Sequence, residues 1–172
     1  MQSYTWLRIL RLIHIYSAIV LVGSIIFNTM ILMPALRRIP PAQSAVVSQK
    51  IGGGLMKLGG SAIVLLGVTG ALRLWLLGEL PYIFSHEVLA LAHLRWILLM
   101  MCSWFGLLVT GTLSGIWYNT VLTKKLPYSA GLRELEERRA SQEKVATWQE
   151  RLAYFNLALA LLAALGGILA SF

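Results

Sequence analysis

The sequence predicts an all-α integral membrane protein: a four-helix bundle with both termini on the non-cytoplasmic side. Three observations predict it. Hydrophobic residues make up 58% of the 172-residue chain and charged residues 13%, against about 25% charge in soluble domains. Apolar runs recur four times along the chain, each near the length of about 20 residues that crosses a bilayer core. Lys and Arg crowd into alternate connections between those runs, the asymmetry that sets orientation in a membrane.

The chain reads as a single transmembrane domain over 1–172. Span one covers about 10–36, with no charge between Arg11 and Arg37, and Pro34 and the Pro40–Pro41 pair are expected to end it. Span two covers about 55–77. Gly52, Gly53 and Gly54 precede it as a flexible lead-in, Lys57 and Arg73 fall in its end turns, and Gly78 and Pro81 close it. Long basic side chains in end turns reach the headgroups. Span three covers about 86–122, with Ser85 as its N-cap before His86 and Glu87. Span four covers about 151–171. Residues 130–150 are the one water-loving stretch and predict an amphipathic cytoplasmic helix, with Glu134 and Arg138 spaced for an i,i+4 pair. Each span is helical because in lipid only a helix satisfies its own backbone.

Orientation follows from the loop charges. The connections between spans one and two and between three and four hold Arg37, Arg38, Lys50, Lys57, Lys124, Lys125, Arg133, Arg138, Arg139, Lys144 and Arg151. The other face holds only Arg8, Arg11, Arg73 and Arg95. The net charge of +8 therefore points to an anionic lipid surface rather than to nucleic acid. Cys102 is the one cysteine and lies in an apolar run, so no internal disulfide forms and the thiol is expected to be buried and inert.

Polar groups inside a bilayer are costly and mark function or helix association. Span one carries His14, Ser17, Leu21, Ser24 and Asn28 on one side, which is expected to face the bundle, with Ile19, Val22 and Ile26 turned to lipid. Span three carries His86, His93, Met100, Leu107 and Ser114, seven apart, with Ile97, Trp104, Gly111 and Tyr118 between. Gly111 and Gly115 form a GxxxG pair for close helix approach. Asn28, Asn119 and Asn156 fall in the inner halves of their spans and form a candidate polar cluster. His14 and His93 are expected at similar depth, roughly 5–10 Å below the outer surface at about 1.5 Å per residue. Two such imidazoles suit the axial positions of a b-type haem, with Arg73 placed to pair with the propionates. Copper is the alternative, with His14, His93 and Met100 as ligands. The competing role for these histidines is structural, as hydrogen-bonding struts between helices. Met30, Met33, Met100 and Met101 read as core filling rather than as a copper path.

The run HIYSAIVLVGSIIFNTMILMPALRR, residues 14–38, resembles the opening helix of the CopD-like family of bacterial membrane proteins, in its His14, its Gly23 nine residues on and its Pro34 exit. LLGVTGALRLW, residues 65–75, with its Thr-Gly step, and RLAYFNLALALLAAL, residues 151–165, resemble that family's second and last helices. The resemblance implies a multi-pass protein of the bacterial inner membrane that handles copper or, in related groups, haem. His14 and Arg95 also resemble the first-helix histidine and third-helix basic residue of HemJ-type protoporphyrinogen oxidases. Four functions follow as expectations: a haem-b electron carrier serving a periplasmic redox protein or partner subunit, a copper-handling protein, a non-catalytic packing subunit of a larger membrane complex, and a porphyrinogen oxidase. No nucleophile–base arrangement, phosphate loop or carboxylate pair is present, which disfavours hydrolase and nucleotide-driven activities.

Overall fold

The computed structural model describes residues 2–117, 120 and 132–170. Four of its helices are long and apolar enough to cross a membrane, and no strand occurs among the described residues. The expected all-α, membrane-spanning fold is therefore present.

Helix α1 spans Gln2–Ile26 and does not stop at Pro34. Proline has no N–H to give the carbonyl four residues back, and its ring crowds that carbonyl. The chain widens ahead of it into a π-helical turn, Phe27–Leu32, where the Met33 N–H reaches back to the Asn28 carbonyl. Helix α2, Met33–Leu36, then carries Pro34 in its first turn. The wider turn seats Thr29 in the interior, 1% exposed, with its hydroxyl donating to the Ala153 carbonyl at 3.5 Å.

Helix α3 spans Pro41–Leu77, far longer than the expected span. Pro41 sits where its missing N–H would have no partner anyway, and helix runs straight through Gly52, Gly53 and Gly54. Lys57, expected in an end turn, is an exposed residue in its middle. The other end stops as expected. Gly78 takes φ +72°, its N–H donates to the Trp75 carbonyl, and Glu79 N–H donates to the Leu74 carbonyl. This is a Schellman stop, which favours glycine because of the left-handed backbone.

Helix α4, Leu80–Ile83, and a 3-10 turn, His86–Leu89, precede helix α5, Ala92–Trp117. Ser85 is not the N-cap of the third span: its hydroxyl turns back to the Tyr82 carbonyl at 2.9 Å. The membrane helix starts at Ala92 rather than His86. Helix α6, Leu132–Leu169, joins the amphipathic segment and the last span into one helix. The expected end of span three near 122, Tyr118, Asn119, Lys124–Lys125 and the Glu134 and Arg138 side chains lie outside the described residues.

Helix α1 packs mainly against α3, and α5 mainly against α6. These two antiparallel pairs join along α1/α6 and, less extensively, α3/α5. Helices α1 and α5 lie on the diagonal, with no Cα–Cα approach within 8 Å among the described residues. One core, Leu21, Ala62, Ile63, Leu107 and Ala160, draws on all four long helices. A second, Leu74, Ile83, Val88, Leu94 and Ile97, closes the end that carries the termini.

Small residues set the helix approach, and of the expected pair Gly115 takes part: a Cβ there would stand 3.3 Å from Met56 Sδ on α3. Gly111 is exposed and a Cβ there would touch nothing. The close contacts are Gly67 under the Trp104 ring, Gly106 under Leu159, and Gly166 under the backbone of Trp96 and Met100. Trp104 donates its indole N–H to the Ile63 carbonyl at 2.9 Å, as a buried indole requires. Val22 packs against the first core instead of facing outward. Cys102 is exposed, so the thiol lies on the bundle's outer surface rather than inside. At the loop end Arg37 and Glu150 form an ion pair between α2 and α6.

Candidate cofactor site

His14 lies on the inward face of α1, half-buried, one turn before the buried Ser17. Its Nδ1 is 2.8 Å from Thr69 Oγ1 on α3, and its ring edge lies against Gly70, where a Cβ would come within 3.4 Å of Cε1. The Thr69 hydroxyl carries one hydrogen, which it gives to its own helix: Leu65 O is 2.6 Å away and Leu66 O 3.3 Å. A hydroxyl already donating can only accept from the ring. With Nδ1 donating to Thr69, Nε2 would keep a free lone pair. That is the state in which a histidine binds a metal, with the other ring nitrogen donating to a fixed acceptor. Thr69 is 3% exposed, so the acceptor is held in a packed position.

One turn toward the termini, Arg11 and Arg73 stand level on the same helix pair, three residues before His14 and four after Thr69. Their charges are close enough to oppose each other. No carboxylate forms an ion pair with Arg73 among the described residues, although Glu79 lies within electrostatic range. Two guanidinium groups at one level suit an anionic group.

Cross-helix contacts set the depth of the other predicted ligands. On α3, Thr69 lies about four residues from the midpoint of the Ile63–Gly67 stretch that Trp104 touches; on antiparallel α5 the same rise leads from Trp104 to about Met100. Helix α6 gives the same answer. Ala18 and Ala164 line one crevice, so Gly166 and Gly167 lie level with Tyr16 and Ile15. Met100 is packed against that glycine pair: Cβ atoms built on them would stand 3.3 Å from Met100 Cβ and 3.7 Å from its Sδ. Met100, half-buried, is thus within about one turn of His14 in depth.

His93 lies seven residues earlier on α5 than Met100, about 10 Å nearer the termini end, in the first turn of the helix. It is 44% exposed, with Nε2 3.8 Å from the Glu79 carboxylate. His93 does share a helix face with Met100 and the buried Leu107, as the seven-residue spacing indicated. Arg95 is exposed and points about 200° away from His93. His86 is exposed in the 3-10 turn.

A second polar layer lies toward the loop end. Thr110 Oγ1 and the Asn156 amide on α6 are 2.5 Å apart. Thr110 Oγ1 donates to Asn156 Oδ1, with Gly106 O a second acceptor at 2.7 Å. Asn28 is half-buried and makes no side-chain hydrogen bond among the described residues, and Asn119, the third member of the expected cluster, lies outside them. Ser24 returns its hydroxyl to Leu21 O at 2.8 Å. No group of three or more His, Cys, Asp or Glu suited to a metal occurs among the described residues.

Thr69, Arg11 and the Gly166–Gly167 step are the site residues that residue-by-residue reading of the sequence missed. The Thr-Gly step was visible, but its partner His14 was not. The fold defines a protein with four helices long and apolar enough to cross a membrane, with a half-buried histidine near one end. Comparison with protein families, characterised proteins and solved structures finds no match to this chain.

Proposed function

We propose that the chain is a haem-b binding electron-transfer protein of the bacterial inner membrane, with His14 Nε2 as an iron ligand and Arg73 and Arg11 at the propionates. The observation that carries it is the His14–Thr69 bond, which leaves a lone pair on an inward-facing imidazole inside a membrane helix. The haem supplies the one-electron chemistry when bound. The protein's part is to hold His14 in one tautomer, to keep water from the site with the second core, and to balance propionate charge with the two guanidiniums. His93 and Glu79, exposed at the same end, mark the face that would meet a redox partner or neighbouring subunit.

The imidazole–thioether pair also favours a second reading. His14 and Met100 are soft enough to hold copper(I). The two readings separate in a titration of detergent-purified protein. Haem addition is expected to give a saturable 1:1 spectrum in the wild type, and His14→Ala is expected to lower affinity at least about tenfold while the helical content is kept. Equal haem binding by His14→Ala would overturn the haem proposal. Saturable copper(I) binding that needs His14, with no haem binding, would put copper in its place.

The proposed orientation places both termini and the His14 end on the periplasmic side, with the Arg37–Glu150 end in the cytoplasm, following the loop charges. A cysteine introduced at the exposed Gln43, in a Cys102→Ser background, is expected to resist a membrane-impermeant thiol reagent in intact cells and to react after lysis. Labelling in intact cells would reverse the topology.

A further inference from the structure

We infer that the lipid-facing groove between α1 and α3 is a binding site for a membrane-soluble ring carbonyl of the quinone class, held by the Ser17 and Tyr16 hydroxyls. The site draws on none of the atoms assigned to haem and stands whether or not His14 binds iron.

The groove has a volume of about 390 Å³. Its floor is Ser17 and Ala62, both buried, and its walls are Leu12, Tyr16, Leu58 and Leu65, all exposed. A mostly apolar lining with a few polar groups, at this size, is the make-up of a small-molecule site.

Two hydroxyls in the groove lack partners. Ser24, Ser61, Thr69 and Thr112 each give their hydroxyl hydrogen to a carbonyl of their own helix. Ser17, 6% exposed, makes no hydrogen bond among the described residues. Its oxygen is not sealed in the interior and opens into the groove. The Tyr16 hydroxyl, on an exposed side chain, also makes no hydrogen bond among the described residues. An unpaired hydroxyl in hydrocarbon is costly, and a ligand that brings an acceptor removes the cost.

Shape and depth choose the occupant. A second helix docks where small residues let backbones approach. Here the floor is small and the rim is bulky, a slot that takes a flat ring. A bare acyl chain would fill it but leave both hydroxyls unpaired. Phospholipid ester carbonyls lie near the headgroups, the level that Arg11 and Arg73 mark on these two helices. Ser17 is six residues past Arg11, about 9 Å deeper. The occupant therefore carries its acceptor into the acyl layer, as a lipid-soluble quinone does, and each hydroxyl donates to a ring carbonyl oxygen.

The test is equilibrium binding of a short-chain isoprenoid benzoquinone to the full chain in detergent, with the quinone carbonyl stretch followed by infrared difference spectroscopy. The wild type is expected to bind one quinone per chain saturably and to shift that stretch to lower frequency. Ser17→Ala and Tyr16→Phe are each expected to weaken binding about three- to tenfold, as loss of one hydrogen bond does, and to reduce the shift. Ser61→Leu fills the slot from an exposed position and leaves both hydroxyls in place; it is expected to abolish binding. Wild-type affinity in both Ser17→Ala and Tyr16→Phe, or equal affinity for the matching ring hydrocarbon without carbonyls, would overturn the assignment. A folded wild type that binds no quinone would overturn it as well. Self-association of the wild type that Ser61→Leu removes, with no quinone bound, would give the groove to a second copy of the chain. All of these are read on haem-free protein, so none depends on the result for His14→Ala.

Discussion

Gly166→Leu is expected to force α5 and α6 apart and to lower stability by about 1–3 kcal/mol, as overpacking does. A Cβ at this position meets backbone on α5, not the movable end of a side chain, so relief requires the whole helix to shift. Thermal unfolding in detergent checks this, with Gly111→Leu as the control, because Gly111 has open space around it. Equal behaviour of the two variants would contradict the packing described for α5 and α6.

Thr69→Val is expected to weaken haem binding about 10–100-fold, the usual cost of removing the group that orients a ligating histidine. Valine fills nearly the same space but cannot accept from Nδ1, so the imidazole loses its fixed tautomer and orientation. Thr69→Ser should recover most of the affinity because the hydroxyl remains. A purely structural role for the bond predicts another outcome. Interhelical hydrogen bonds in membranes average about 0.6 kcal/mol, so Thr69→Val would lower stability slightly and leave haem affinity within about threefold. Affinity and unfolding midpoint measured on the same samples separate the two.

The spans were legible because lipid leaves a helix no alternative, and the Gly78 stop because a left-handed residue after an apolar run favours glycine. Helix starts were less legible. Gly52, Gly53 and Gly54 suggested a flexible lead-in, yet the residues on either side carry α3 through them. Ser85 had the side chain of an N-cap, yet its hydroxyl bonds the preceding turn, and α5 starts at Ala92 rather than His86. The seven-residue stripe gave the shared face of His93, Met100 and Leu107.

His14 was legible as a polar residue on an inward stripe. Its partner was not, because a threonine in an apolar helix commonly bonds its own backbone, and nothing local marks one that also accepts from another helix. The Gly166–Gly167 step was hidden for a related reason: glycine in a span matters only through what lies opposite, and the α5–α6 register becomes visible only in the folded chain.

The central claim is that His14 holds a haem iron, and the most direct measurement is the reduced-minus-oxidised absorption spectrum of the wild-type chain purified from membranes in mild detergent. The expected result is a Soret band with sharp reduced α and β bands at about one haem per chain, absent from His14→Ala purified in parallel. A folded, colourless wild-type protein that stays colourless when haem is supplied, or the same spectrum in both proteins, would contradict it.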